Sequence, residues 1–249
     1  MIPRHIPPCG LPHLMRTAAQ GDYPSVEVVE ATLADRYGSS HAVLLPSVRA
    51  GLRWMIESQG GRGRVFTPVF TCAVVHEAVK LAGTEVKFVD CEEDGILMGR
   101  SGLMEATPAD SVIYSMIYGK AFDFPYPDAK VNLLDFAMTI PRREDIASLK
   151  ANEVAFYSFG IGKILYSGIG SIAFCESRSL WKALLEKREA IAVHEQVSTY
   201  RYFSKMLQRR VIHGRAIYGA LRSLQAAISK RASAGPAVSD DGAAHADAS

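Results

Sequence analysis

Short apolar runs alternate with helical patterns through most of the chain. Seven runs, most of them rich in Val, Ile, Phe or Tyr, predict buried strands at 41–45, 64–66, 86–90, 111–115, 131–135, 153–157 and 171–175. Helical patterns occupy 50–58 and 72–82 between them, and the second ends before Gly83, a natural C-terminal stop. Because strands and helices alternate, we predict an α/β fold with one mostly parallel seven-stranded sheet and helices on both faces.

Helical patterns also flank this region. Residues 24–37 are amphipathic, with Pro at the start and Gly38 after the end. Residues 176–231 have helical patterns throughout and carry 12 Lys or Arg against 4 Glu. We interpret this basic segment as a solvated helix face packed on the domain, and weak contact with an anionic membrane surface or nucleic acid is the alternative. Residues 232–249 are small and polar, which predicts a disordered tail after an α/β domain over 1–175 and the basic segment.

The composition narrows the class of protein. A 249-residue chain with 48% hydrophobic and 22% charged residues is typical of a globular domain, and a net charge of +2 argues against a general nucleic-acid binder. The four cysteines lie too far apart for a zinc or redox motif and indicate a reducing compartment. Residues 1–5 lack a signal-peptide pattern, so we predict a cytoplasmic location. The apolar stretch 154–174 contains Lys163 and four glycines, so it is not predicted to span a membrane.

Lys163 is the most informative residue for chemistry. It lies in an apolar segment after the sixth predicted strand, where burial would favour the uncharged amine by lowering its pKa. A neutral amine can condense with a carbonyl group, as a Schiff-base lysine does. The alternative is a lysine at a strand end whose ammonium group reaches solvent.

Two further features suit a phosphorylated ring compound. Asp135 ends the fifth predicted strand, where a carboxylate could keep a ring nitrogen protonated or simply cap a loop. Ser47, Val48 and Arg49 open a helix, where free N–H groups and a guanidinium favour an anion, although Ser47 is equally a helix cap. Tyr157 and Ile164 stand where a phosphate-binding P-loop needs Gly and Ser or Thr, and no dinucleotide-binding glycine pattern is present.

Several short segments have an order and spacing that carry more information than any one of them. They are 36–43, 47–52, 67–72, 82–90, Tyr118-Gly119, Asp135-Phe136-Ala137 and Ser158 to Lys163 followed by Gly168-Ile169-Gly170. This set, from about residue 6 to residue 174, resembles the DegT/StrS family of pyridoxal-phosphate-dependent sugar aminotransferases. The resemblance implies the large domain of the type I aminotransferase fold.

The resemblance also implies roles for named residues. Lys163 would bind pyridoxal 5'-phosphate as a Schiff base and move the substrate proton, and Asp135 would pair with the ring nitrogen. The phosphate would be held by Ser158 together with Ser47, Val48 and Arg49. Cys72 occupies the position of a ring-stacking side chain, and Met138 the position of a polar side chain near the ring hydroxyl.

The implied reaction is transfer of an amino group from glutamate to a keto sugar on a nucleotide, for polysaccharide or surface-glycan synthesis, in a homodimer with sites at the interface. Three residues depart from the family pattern, namely Val48, Met138 and Ser171. The family also has a smaller C-terminal domain, for which this chain offers only the basic segment and tail, so a short form is expected. A second hypothesis is therefore a catalytically silent relative that binds cofactor or sugar as a partner or regulatory protein.

Overall fold

The fold is described by a computed structural model. It covers residues 11–21, 23–60, 63–93, 95–117, 119, 126–160, 162–165 and 169–192, together with 204, 207, 208 and 223. In that part of the chain the elements are α1 (Leu11–Gln20), α2 (Val26–Tyr37), β1 (His41–Leu45), α3 (Val48–Ser58), β2 (Arg64–Pro68), α4 (Ala73–Leu81), β3 (Glu85–Val89), α5 (Arg100–Leu103), β4 (Ser111–Ser115), β5 (Val131–Asp135), α6 (Arg143–Ala147), β6 (Glu153–Ser158), β7 (Ser171–Cys175) and α7 (Arg178–Ala192).

The seven strands form one sheet in the order β1-β7-β6-β5-β4-β2-β3. The five strands from β2 to β6 run parallel to one another. Strand β7 is antiparallel to both of its neighbours, β1 and β6. One core packs α3, α4 and α7 on one face of the sheet, and a second core packs α2, α5 and α6 on the other. The predicted α/β fold, with a mostly parallel seven-stranded sheet covered on both faces, is confirmed.

Helix boundaries follow the capping residues more closely than the apolar pattern. Helix α2 begins after Ser25, whose Oγ accepts a hydrogen bond from the Val28 N–H at 3.4 Å. Helix α3 begins two residues earlier than predicted, because Ser47 Oγ accepts from the Ala50 N–H at 3.2 Å. Helices α1, α5 and α6 were not among the predicted elements, and the latter two are too short to show a helical period.

The antiparallel direction of β7 relative to β6 determines where the connection between these two strands lies. Strand β6 runs toward the carboxyl edge of the sheet, and β7 returns from the same edge, with Ser158 opposite Ser171. The Phe159 N–H donates to the Gly170 carbonyl at 2.9 Å and closes the base of the connection. The described residues of this connection, 159–160, 162–165 and 169–170, therefore lie at the carboxyl edge, and Lys163 is one of them.

The segment 154–174, which the apolar pattern alone could suggest as a membrane span, contains β6, this loop and β7 instead. No described helix is both long and apolar enough to cross a membrane. Helix α7 lies within the predicted basic segment, whereas most of 193–231 and the whole tail 232–249 lie outside the described residues.

Helix α3 packs unusually close to the sheet. A Cβ atom at Gly51 would lie 2.6 Å from Cε1 of Phe156 in β6 and 2.7 Å from Cδ1 of Leu45 in β1. Glycine at this position allows the helix backbone to approach both strands. The N-terminus of α3 is thereby held against the carboxyl edge of the sheet.

Candidate functional site

Three adjacent parallel strands end in polar residues on the same face of the sheet. They are Ser115 in β4, Asp135 in β5 and Ser158 in β6. Ser115 is the register partner of Asp135, and Asp135 pairs with Phe156, two residues before Ser158. Because side chains alternate along a strand, all three share the face of Ile113, Leu133 and Phe156, which is the face covered by α3 and α4.

The N-termini of α3 and α4 meet this row of side chains. Ser47 caps α3 directly after β1, and Cys72 precedes α4 with a side chain that is exposed and makes no capping bond. Thr71 Oγ1 and Ser115 Oγ lie 2.6 Å apart and connect the α4 entry to β4. Two helix N-termini thus face the carboxyl edge, and because the positive end of each helix dipole lies there, the arrangement favours anions.

A cavity of about 560 Å³ lies between the sheet edge and these helix ends. All eight residues predicted for the site line it, namely Ser47, Val48, Arg49, Cys72, Asp135, Met138, Ser158 and Lys163. Sequence reasoning missed Thr71, Ser115 and Ile117, which also line this cavity. Ser115 could have been found by the signal that identified Asp135, since each is the last residue of a buried strand.

Asp135 contributes a buried carboxyl group to this cavity. Its side chain is nearly inaccessible to water, and Oδ1 accepts a hydrogen bond from the Ala137 N–H at 2.8 Å. Burial raises the pKa of this carboxyl to about 6, although the Ala137 N–H and the charge of Lys163 both act to lower it. A positively charged group placed beside Asp135 would favour the ionised form.

Lys163 is half-buried and not fully buried as the sequence pattern predicted. The reason is tertiary: its loop lies over the sheet edge, and Ile164 and Leu165 beside it are themselves exposed. The Lys163 Nζ donates to the Met138 Sδ at 3.5 Å. The amine therefore points across the cavity mouth to the segment that follows Asp135.

Two residues of the predicted phosphate turn, Ser47 and Arg49, already have partners within the protein. Ser47 Oγ caps α3, as the alternative interpretation of this serine predicted. Its hydroxyl proton is not used in that bond and stays available to a ligand. Arg49 Nη1 pairs with Glu77 Oε2 at 2.9 Å, and both side chains are about half exposed. An exposed pair of this kind contributes about 0 to 1 kcal/mol, so it hardly opposes a phosphate. Arg49 reaches the cavity, but its guanidinium is shared with Glu77.

No protein-family model and no curated protein matches the chain. Solved structures do match its fold. A Streptococcus pneumoniae protein described as a sugar aminotransferase, in a PLP-form, superposes with a TM-score of 0.60 at 16% identity, over 80% of this chain and 59% of that one. A DegT DnrJ EryC1 StrS aminotransferase from Brucella abortus gives 0.54 at 20% identity, over 80% and 62%.

A third similar structure is a mutant of GDP-4-keto-6-deoxymannose-3-dehydratase, ColD, with bound GDP-perosamine, at a TM-score of 0.58 and 14% identity over 74% of this chain and 54% of that one. The chain spans about three-fifths of the length of these proteins. The predicted aminotransferase fold is therefore confirmed, at identities that establish the fold alone.

Proposed function

We propose that this chain is a pyridoxal-phosphate-dependent enzyme that transfers an amino group from glutamate to a keto sugar carried on a nucleotide. The observation that carries the proposal is the convergence of a buried carboxylate, a primary amine and a helix N-terminus on one cavity. The fold shared with sugar aminotransferases supports the same assignment.

The residues present fit this cofactor. Asp135 is a buried carboxylate, and no described lysine or arginine lies within ion-pair distance of it, so it can still serve a protonated ring nitrogen. The N-terminus of α3 with Ser47, together with Ser158 across the cavity, would hold the phosphate. Lys163 offers an amine for the aldehyde, and Cys72 lies where a side chain can contact the ring. A volume of about 560 Å³ is within the range of small-molecule sites.

When bound, pyridoxal phosphate supplies an electron sink that stabilises a carbanion next to the amino group. The protein supplies the proton transfer, for which Lys163 Nζ is the candidate base and acid. Met138 Sδ only accepts a weak hydrogen bond and cannot donate a proton, so it orients the amine without competing as an acid. Val75 and Ile117 give the cavity an apolar wall that limits water near the reacting atoms.

Replacement of Lys163 by alanine tests the proposal most directly. Purified wild-type protein mixed with pyridoxal phosphate is expected to gain a visible absorption band, and Lys163→Ala is expected to lose it, because no other amine lines the cavity among the described residues. Lys80→Ala, which removes an exposed lysine from α4, is the control and should keep the band.

Addition of glutamate separates the two hypotheses. A wild-type band that disappears with glutamate supports amino transfer. A band that persists would instead favour the catalytically silent relative, a cofactor-binding partner or regulatory protein. Absence of any band in wild-type protein would contradict both the enzyme and the cofactor-binding form of the silent relative.

The proposal includes a homodimer in which the partner covers the cavity mouth. Its support is a set of exposed apolar side chains that line the cavity or adjoin its lining residues in the chain: Val74 in the lining, Val69 and Phe70 before Thr71, and Ile164 and Leu165 after Lys163, with exposed fractions between 41% and 59%. Such a cluster is typical of an interaction surface.

A cytoplasmic location is also proposed, and the three described cysteines are free, as is usual in a reducing compartment.

Light scattering tests the homodimer. The expected mass is twice 27.1 kDa, and Phe70→Glu should shift it toward one chain by placing a charge in the apolar cluster. Val28→Glu is the matched control, since Val28 is 53% exposed on α2, outside this cluster. A wild-type mass of a single chain would exclude the dimer.

A further inference from the structure

A second cavity of about 620 Å³ adjoins the cavity of Lys163. Met138 lines both, and its Sδ is 3.5 Å from Lys163 Nζ. A molecule in the second cavity would therefore lie one side chain away from the reactive amine. This proximity makes the second cavity a candidate for the part of the substrate that carries the reacting carbon.

The walls of the second cavity combine apolar and polar surfaces. Ile140 and Ile164 line it with exposed fractions of 43% and 59%, which leaves apolar area available to a ligand. On the other side, Arg142 and Asp145 are joined through two contacts, Nη2 to Oδ1 at 2.8 Å and Nε to Oδ2 at 3.2 Å. The cavity thus presents C–H surface on one side and hydrogen-bonding groups on the other.

The charges in this cavity balance. Among the described lining residues Arg142 is the cation and Asp145 the anion, and Arg142 is further paired with Glu144 at 3.2 Å. A pyrophosphate or a dicarboxylate such as glutamate would need a cation that is not already matched. An uncharged ring with hydroxyl groups needs donors, acceptors and an apolar surface, and these are what the walls offer.

The walls are held in place before any ligand binds. Thr139 Oγ1 donates to the Met116 carbonyl at 2.7 Å and accepts from the Gly119 N–H at 3.2 Å. At the start of α6 the Arg142 N–H donates to Asp145 Oδ2 at 2.8 Å. A wall fixed by such bonds loses little conformational entropy when a ligand binds.

We propose that the second cavity binds the uncharged sugar ring of the acceptor substrate, with its C–H face on Ile140 and Ile164 and its hydroxyl groups at Arg142 and Asp145. Met138, which lines both cavities, then borders the passage through which the keto carbon of the ring reaches the Lys163 cavity, and it limits the size of the group next to that carbon. This inference rests on the proposed amino-transfer function and adds the place where the sugar lies. The nucleotide and its phosphates bind outside this neutral cavity.

The test fills the second cavity and measures the two half-reactions separately. Ile140→Trp adds bulk at an exposed position, so folding should be retained, and far-ultraviolet circular dichroism checks this. The donor half-reaction is followed with glutamate through the visible band. The acceptor half-reaction uses the aminated cofactor form of the holoenzyme with GDP-, UDP- and dTDP-linked 4-keto-6-deoxyhexoses as probes. Met104→Trp, at a position 82% exposed and outside both cavities, is the control.

We expect Ile140→Trp to slow the acceptor half-reaction at least tenfold relative to the donor half-reaction, while Met104→Trp changes neither. Equal effects on both half-reactions, or wild-type acceptor rates in Ile140→Trp, would overturn the inference and leave the proposed function standing. A wild-type protein that reacts with glutamate but with none of the three keto sugars would instead overturn the sugar acceptor in the proposed function.

Discussion

Asp135→Asn is expected to stabilise the cofactor-free protein by about 3 kcal/mol at pH 8 while it weakens binding of pyridoxal phosphate. Burial raises the pKa of Asp135 from 3.8 to about 6 in the folded protein. At 1.36 kcal/mol per pKa unit, this difference corresponds to about 3 kcal/mol. Asparagine mimics the protonated carboxyl and can still accept the Ala137 N–H bond through its Oδ1.

The sign follows from which state binds the proton more tightly. Because the folded-state pKa lies above the unfolded value, the folded protein holds a proton that the unfolded chain has released between pH 4 and pH 6. The stability of the cofactor-free wild type therefore falls, relative to that of the variant, as the pH rises through this window. The two proteins should be equally stable near pH 4 and differ most above pH 7.

Urea denaturation of both proteins between pH 4 and pH 8 measures this effect. Asp128→Asn, at an exposed carboxylate, is the control and should change the free energy of unfolding by no more than about 0.5 kcal/mol at any pH. The affinity for the cofactor should fall in Asp135→Asn, although the stability of the protein rises. Loss of a charge-assisted bond of about 1.5 to 3 kcal/mol should weaken cofactor binding roughly 10-fold to 150-fold. A variant that is no more stable than wild type at pH 8 would contradict the argument from burial.

Gly63→Ala is expected to lower the free energy of unfolding by about 4 kcal/mol or to prevent folding. Gly63 has a φ of +89°, in the region that favours glycine, and a Cβ there would lie 2.1 Å from the carbonyl oxygen of Ala109. The nearest atoms are backbone, so no flexible side chain can move away. The next residue, Arg64, donates its backbone N–H to the buried carboxylate of Asp110 at 2.8 Å, which ties this turn to β2.

Gly60→Ala is the matched control for this prediction. Gly60 has a φ of +80°, but no heavy atom of the described residues, apart from Gly60 itself and its chain neighbours, lies within 4 Å of the position that a Cβ would take. Its alanine variant should therefore show only the backbone strain, about 1 to 2 kcal/mol. Chemical denaturation of both variants, or soluble yield where Gly63→Ala does not fold, measures the difference. Equal losses in the two variants would mean that the contact with Ala109 has no effect.

Much of the fold could be predicted from local patterns. Each strand is a short run of apolar, often β-branched residues between turn signals, and each predicted boundary lies within two residues of the observed one. The same logic located Asp135, because a polar residue at the end of a buried strand lies at the sheet edge. Lys163, Ser158 and the Ser47 turn were predicted from their residue types and spacing, and they line one cavity with Asp135.

The remaining features depend on contacts between distant segments. The sequence pattern is the same for a strand that runs either way, so neither the reversal of β7 nor the half-buried position of Lys163 could be predicted. Arg49 meets Glu77 only because α3 and α4 pack side by side. The pKa of Asp135 depends on how much water the surrounding elements exclude.

Local sequence was enough to specify the strands, the helix caps and the residue types available for chemistry, because these depend on neighbours along the chain. The strand order, the second cavity beyond Met138 and the half-buried position of the amine came from tertiary packing. Those features are set by which distant surfaces pack together, and local hydrophobic periodicity carries no information about that choice.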